Sequence, residues 1–177
     1  MNSNAFLSAL EDQGFYIAEN LIDPATIAEA ITEVGCLHEL YNELEAQDPE
    51  LVKAHFMIEP FAEPHRQADG MPILRKIEAV HIYSDLFERL PRTTALVDLA
   101  SAFVGPDVLL FRNTLMLKPG NHGSAHGLHQ DSSYWHMKPA TQITVSIALT
   151  DATIENGCFQ VIPGSHKRGL IPFKLYS

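Results

Sequence analysis

A histidine and an aspartate stand two residues apart in the stretch His129-Gln130-Asp131. The flanking segments, residues 109–118 and 141–149, have the pattern of β-strands. Side chains alternate faces in an extended segment, so His129 and Asp131 are predicted to point the same way while Gln130 points away. One imidazole and one carboxylate form half of a mononuclear metal site. A second histidine would complete the facial triad of non-haem Fe(II) oxygenases. The alternative is a structural His–Asp hydrogen bond, because the chain has nine histidines.

The composition limits the classes of partner. A chain of 177 residues suits one domain with a sizeable core. Twelve Lys and Arg against 22 Asp and Glu give a net charge of −10, which argues against nucleic acid or an anionic membrane as partner. Cys36 and Cys158 fit no metal spacing and indicate a reducing compartment. With no leader-like start and no run of 18 apolar residues, the sequence favours a soluble, cytoplasmic protein.

Helices dominate the elements predicted for the first 105 residues. A short strand at residues 15–18 and a strand at residues 73–81, which contains Lys76, interrupt them. Residues 48–70 are predicted to be a loop with one or two short extended pieces. Asp23-Pro24 is a strong helix start, since a capping carboxylate precedes proline at the first helical position. The predicted helices cover residues 4–13, 24–46 and 91–104, with a helical turn at 84–90.

The pattern changes after Gly105-Pro106. Candidate strands cover residues 108–117, 128–134, 142–150 and 158–162. Helices followed by antiparallel strands predict an α+β protein with a mainly β core, a jelly-roll or sandwich architecture carrying N-terminal helices. We expect residues 1–177 to form a single domain, with a helical part at 1–105 and the first part of a jelly roll at 106–177.

Four blocks of the sequence resemble the phytanoyl-CoA dioxygenase family in wording, order and spacing. They are Met116-Leu117-Lys118-Pro119-Gly120, Leu128-His129-Gln130-Asp131, residues 147–158 (IALTDATIENGC) and residues 162–169 (IPGSHKRG). The resemblance implies a double-stranded β-helix of the cupin type that binds Fe(II) and uses 2-oxoglutarate as cosubstrate. Ascorbate is a further candidate cofactor. The usual reaction hydroxylates an unactivated carbon of a small molecule while 2-oxoglutarate is converted to succinate.

The resemblance also assigns site residues. His129 and Asp131 would be two of the three iron ligands. Lys76 falls where family members use a lysine against 2-oxoglutarate, although a solvated strand lysine is the alternative. Thr114 lies on a strand that lines the cosubstrate pocket in relatives, with a plain strand residue as the alternative. Gln130 would contact the cosubstrate or support the iron ligands.

Other residues near these blocks receive secondary roles. The KPG turn is expected to leave Lys118 at the surface, and His166 is expected to hydrogen-bond its own turn rather than bind iron. Further histidines that flank the site, and two aromatic residues expected to shape the substrate entrance, are His122, His126, His136, Tyr134 and Trp135.

The chain departs from the family pattern in two ways. Many relatives carry tryptophan near Ser146, so that side of the cosubstrate pocket is expected to be more open. The distal iron histidine and the arginine that pairs with 2-oxoglutarate are expected on strands beyond Ser177. Residues 170–176 offer no histidine and only Lys174 as a cation. We therefore expect an incomplete iron site and unpaired sheet edges.

Three functional hypotheses follow. The first is an Fe(II)/2-oxoglutarate dioxygenase, or the N-terminal part of one. The second is a non-catalytic, truncated jelly roll that binds a small metabolite or a partner. The third is a cupin-like metal-binding barrel with other chemistry, which would need a nearby histidine such as His126 as an additional ligand. The sequence does not indicate the substrate or the oligomeric state.

Overall fold

The computed structural model describes residues 3–62, 70, 72–121, 123–135, 137–139 and 141–171. Among the described residues, five α-helices and three short strands occupy the first two thirds of the chain. Short 3-10 turns at Pro60–Ala62, Val80–Ile82, Leu90–Arg92, Asp131–Ser133 and Ser165–Arg168 connect or follow them. The helices and strands are α1 Ser3–Gln13, α2 Pro24–Gln47, α3 Pro49–His55, β1 Phe56–Ile58, β2 Leu74–Glu78, α4 Asp85–Arg89, α5 Thr94–Val104 and β3 Thr114–Met116.

An aspartate followed by proline starts both α2 and α3. The Asp23 carboxylate accepts a hydrogen bond from the Thr26 amide at 2.9 Å, as predicted for the start of α2. Asp48 accepts one from the Leu51 amide at 3.1 Å and begins α3, inside the segment predicted to be a loop. That prediction was wrong at residues 49–55, and the same Asp-Pro signal would have corrected it.

The three strands form one antiparallel sheet in the order β1-β2-β3. Ile77 of the central strand pairs with Phe56 on one side and with Leu115 on the other, and all three are buried. Leu37 and Tyr41 of α2 pack into the same apolar core. Alternation along β2 gives Lys76 and Glu78 a common face, opposite to Ile77. The sheet therefore holds two charged side chains in a fixed position over a packed layer.

The second half of the chain contains fewer regular strands than predicted. Among the described residues beyond position 105, only Thr114–Met116 joins a sheet, so the strands predicted at 128–134, 142–150 and 158–162 were wrong, as was the strand at 15–18. Strand ladders need partners, and large apolar side chains here face solvent, including Leu109 (90% exposed) and Ile154 (80%). The described part is thus a mixed helix–sheet structure with a small antiparallel sheet. None of its helices has the length and apolarity needed to cross a bilayer.

The turn that contains His166 closes against the end of α1. The Gly164 amide donates to the Gln13 carbonyl at 2.9 Å, and Nε2 of His166 donates to the Glu11 carbonyl at 2.9 Å. The last carbonyls of a helix have no partner within it, so these two bonds satisfy acceptors that would otherwise be left open. Gly14 follows the helix with φ +85° and lies against the His166 ring. His166 therefore bonds to α1, rather than within its own turn as the sequence suggested.

Substituting Gly14→Ala should lower the free energy of unfolding by about 1–3 kcal/mol. An added Cβ would lie 2.4 Å from Nδ1 of His166, and the left-handed φ adds strain. Gly164→Ala is the matched control, because Gly164 has φ +73° but open space around its Cβ position. Urea denaturation measures the free energy of unfolding of both variants, each alone and combined with His166→Ala. Removing the His166 ring should relieve the steric contact at position 14 but not the backbone strain. Equal losses for Gly14→Ala and Gly164→Ala would contradict the predicted contact.

Candidate active site

His129 and Asp131 lie side by side. Nε2 of His129 is 3.3 Å from Oδ1 of Asp131, and each side chain is about one-third exposed. Nδ1 of His129 donates to the Gly127 carbonyl at 2.8 Å, so the lone pair of the neutral ring is on Nε2. Thr144 donates to the other carboxylate oxygen, Oδ2, at 2.7 Å. Two atoms with lone pairs thus lie 3.3 Å apart, close enough to bind one metal ion together.

The backbone that presents this pair differs from the predicted strand. Gln130 is extended, with φ −113° and ψ 125°, but a 3-10 turn begins at Asp131 and runs to Ser133. One extended residue between the two ligands is enough to place His129 and Asp131 on the same side. The prediction that they share a face therefore agrees with the observed distance, although the strand itself does not form.

Histidines other than His129 do not complete a metal site among the described residues, where no group of three His, Cys, Asp or Glu side chains could hold an ion. His122 and His136 lie outside those residues. His126 accepts a hydrogen bond from Arg75 at Nε2, with a length of 2.8 Å. Partial desolvation lowers the pKa of His126, and the positive charges of Arg75, Lys118 and Lys76 lower it further. His126 thus lies in the electrostatic field of these cations.

Gln130 uses its side-chain amide on the backbone of a distant segment. Nε2 donates to the Gly169 carbonyl at 3.1 Å, and Oε1 accepts from the Ile171 amide at 2.7 Å. Ser133 donates to the Ile171 carbonyl at 2.8 Å. These three bonds fix residues 169–171 beside the predicted ligands. In this arrangement Gln130 supports the chain around the site, and its proposed contact with a cosubstrate would require exchange of these bonds.

Lys76 and Thr114, both predicted to contact 2-oxoglutarate, converge on the carboxylate of Glu78. Lys76 and Arg112 each form an ion pair with Oε1, and the Thr114 hydroxyl donates to Oε2 at 2.9 Å. Burial raises the pKa of Glu78, but the hydrogen bonds from Arg112, Lys76 and Thr114 outweigh it and hold the pKa at about 2. We refer to Lys76, Glu78, Arg112 and Thr114 as the Glu78 cluster.

Aromatic rings border both groups of residues. The Arg112 guanidinium lies 5.2 Å from the centre of the Trp135 ring, and Phe111 contacts the same ring edge-on at 5.2 Å. Tyr134 meets the His129 ring edge-on at 5.4 Å. Lys118 is exposed, as predicted, with Nζ 3.4 Å from the Gly157 carbonyl. Trp135 therefore orients Arg112, while its predicted place at a substrate entrance stays a prediction.

Sequence reasoning missed Glu59, Glu78, Arg75 and Arg112. Glu59 is completely buried, and its Oε2 accepts from Ser124 at 3.1 Å, which anchors the chain shortly before His129. Burial raises the pKa of Glu59, while hydrogen bonds from Ser124 and the charge of Arg75 bring the net shift down. The i, i+2 spacing from Lys76 could have identified Glu78. No sequence signal marks Glu59, because its burial depends on tertiary packing.

A groove of about 400 Å³ extends to Glu78. Residues of α2, α3 and β1 line it, among them Tyr41, Glu45, His55 and Met57. Of the Glu78 cluster, Glu78 borders this groove, whereas Lys76, Arg112 and Thr114 do not line it.

Comparison with known proteins decides the family. The model of the family described as phytanoyl-CoA dioxygenase (PhyH) matches residues 10–175. The chain belongs to the phytanoyl-CoA dioxygenase family. The resemblance seen in the sequence is confirmed, and membership implies a cupin-like fold. No solved structure gives a significant match to this chain.

Named relatives are dioxygenases and hydroxylases of small molecules. An L-proline trans-4-hydroxylase from Streptomyces griseoviridis is 31% identical over 70% of this chain and 49% of the relative. An ectoine dioxygenase from Nocardia farcinica is 33% identical over 91% of this chain and 50% of the relative. A probable alpha-ketoglutarate-dependent hypophosphite dioxygenase from Stutzerimonas stutzeri is 29% identical over 58% of this chain and 35% of the relative. The chain spans about half the length of the first two relatives.

Proposed function

We propose that this family member provides the site of an Fe(II)/2-oxoglutarate-dependent dioxygenase that hydroxylates a small organic substrate. The supporting observation is the separation of 3.3 Å between Nε2 of His129 and Oδ1 of Asp131. The Gly127 carbonyl fixes the ring tautomer, so the free lone pair of His129 faces the carboxylate. A neutral imidazole and a carboxylate are the donors that non-haem Fe(II) takes from proteins.

Two side chains of this chain would hold the metal: His129 and Asp131. When bound, the iron with 2-oxoglutarate would supply the oxidising chemistry. The hydrogen bond that Thr144 donates orients the Asp131 carboxylate, and the bond that His129 donates to the Gly127 carbonyl orients the ring. Lys76 would attract a cosubstrate carboxylate as a point charge. Gln130 and Thr114 remain proposed cosubstrate contacts, acting after rearrangement of the bonds they make within the chain.

The proposed substrate is a small amino-acid-like molecule. The relatives that align with most of this chain are named for L-proline and ectoine. A net charge of −10 makes a strongly anionic coenzyme A ester a poorer candidate. We propose one domain over residues 1–177, in the cytoplasm, with no nucleic-acid or membrane partner. The distal histidine and arginine would come from outside the described residues.

A binding function without catalysis is the second candidate. It is favoured by the missing third ligand, since the described residues offer only two ligands for one ion. In that case the protein would bind a small carboxylate or a partner without turning it over.

Anaerobic titration of the purified chain with Fe(II) and 2-oxoglutarate tests the proposal. A visible charge-transfer band is expected if the iron binds and 2-oxoglutarate chelates it. Appearance of the band only in a longer version of the protein would assign the activity to that longer protein. Absence of the band in both would reject the oxygenase proposal and leave the binding function.

A further inference from the structure

Within the Glu78 cluster, the side-chain carboxylate of Glu78 is bound by the other three residues. Lys76 and Arg112 form ion pairs with one oxygen of Glu78, and Thr114 donates to the other at 2.9 Å. The structure therefore shows which donors on this face recognise a carboxylate. The three residues come from β2, β3 and the segment just before β3, so the sheet register sets their spacing.

The two cations keep donors available for a second carboxylate. A guanidinium has five N–H groups and an ammonium has three, and one carboxylate oxygen cannot use them all. The single proton of Thr114 is donated to Glu78, so this hydroxyl acts on a ligand only through Glu78. Two cations and one carboxylate leave a net charge of +1, which matches one incoming carboxylate group.

Arg112 is held in one orientation from two directions. Glu78 binds its guanidinium on one side, and the Trp135 ring lies 5.2 Å from the guanidinium carbon. Trp135 stands four residues after Asp131 in the chain. Arg75, the neighbour of Lys76 on β2, donates to Nε2 of His126 at 2.8 Å, and His126 stands three residues before His129. Arg112 and the strand that carries Lys76 thus both contact residues that flank the proposed metal ligands.

We propose that Lys76 and Arg112 together bind the carboxylate of a small ligand, and that Glu78 positions both cations for it. The inference rests on the proposed function for the choice of ligand, which is either 2-oxoglutarate or the carboxylate of an amino-acid-like substrate. Arg112 is the new binding residue, and Glu78 is a positioning residue. Planar guanidinium groups bind carboxylates through paired hydrogen bonds, which a lysine alone does not provide.

Calorimetric titration of the whole chain with 2-oxoglutarate and, separately, with L-proline tests this without metal. Arg112→Met should weaken binding of one of the two probes by about tenfold or more, because it removes a charge-assisted hydrogen bond. Arg112→Lys should weaken binding of that same probe less than Arg112→Met does. Arg89→Met is the matched control, since Arg89 is also an exposed arginine paired with one glutamate, Glu29. The probe that responds identifies the source of the carboxylate.

Glu78→Gln separates positioning from simple charge. Removing the negative charge raises the net charge of the cluster to +2, so electrostatics alone would tighten carboxylate binding. Loss of the two ion pairs releases Lys76 and Arg112, so a positioning role predicts weaker binding by several-fold. Circular dichroism first confirms that the variant is folded. Tighter binding by Glu78→Gln would overturn the positioning role.

The outcomes distinguish this inference from the proposed function. Binding that depends on Arg112, without any Fe(II) charge-transfer band, would support the carboxylate site while rejecting the oxygenase. A band with equal ligand affinities in wild type, Arg112→Met and Arg89→Met would support the oxygenase and reject the carboxylate site. Failure of the wild-type chain to bind either probe, with or without Fe(II), would overturn both.

Discussion

Asp131→Ala should abolish the Fe(II)-dependent charge-transfer band and reduce metal affinity by more than about 100-fold, beyond what loss of an outer partner produces. The carboxylate oxygen Oδ1 lies 3.3 Å from Nε2 of His129, so the substitution removes one of the two metal donors proposed among the described residues. Asp131 is about one-third exposed, and the fold should therefore survive. Anaerobic titration with Fe(II) at fixed 2-oxoglutarate, with circular dichroism of the same samples, measures both effects.

Thr144→Val is the control for Asp131→Ala. It removes the hydrogen bond to Oδ2 of Asp131 but leaves the carboxylate in place. We expect a loss of metal affinity of about 10-fold to 100-fold, typical of a partner that orients a ligand. Equal losses in the two variants would mean that Asp131 acts through its hydrogen bond with Thr144, and the assignment of Asp131 as a ligand would be abandoned.

Glu78→Gln should destabilise the protein at neutral pH by on the order of 3 kcal/mol, and the difference from wild type should disappear in acid. The pKa of Glu78 falls from its ordinary 4.5 to about 2 on folding. A lowered carboxyl pKa stabilises the folded state fully above pH 4.5, and this contribution is lost as the pH falls toward 2.

Urea denaturation of both proteins between pH 7 and about pH 2.5 measures the difference in unfolding free energy. Glu29→Gln is the control, because the Glu29–Arg89 pair is more than half exposed on both sides and contributes only about 0–1 kcal/mol. A Glu78→Gln difference that stays constant with pH would show that the loss comes from packing and that the ion pairs do not stabilise the fold.

Local signals were sufficient to predict most of the first half of the fold. The Asp-Pro start of α2 and the apolar spacing of α5 depend on residues within one or two turns, and both helices form. The strand around Lys76 was also predicted, and β2 forms over Leu74–Glu78 inside the predicted range. The strands predicted at residues 128–134, 142–150 and 158–162 do not form, since alternation in the sequence indicates a preference that only a hydrogen-bonded partner strand can satisfy.

The candidate site was predicted in part. The spacing of His129 and Asp131 predicted their proximity, and the distance between them agrees. Lys76 and Thr114 were identified separately, but their common partner Glu78 was not, because pairing across β2 and β3 depends on register. Arg112 was missed for the same reason, since its position beside Glu78 and Trp135 is set by the sheet and by a distant aromatic ring.

The bonds between α1 and the His166 turn also bear on the order of folding. Glu11 and His166 are separated by 155 positions, whereas β1 and β2 pair across a short connection. Closing a longer loop has a larger entropic penalty, and contacts distant in sequence slow folding. The carbonyls of Gln13 and Glu11 gain these partners only after the ribosome has made Gly164 and His166, whereas α1 can pack against α5 as soon as Thr94–Val104 has been made. The end of α1 is thus capped later than its apolar face is covered.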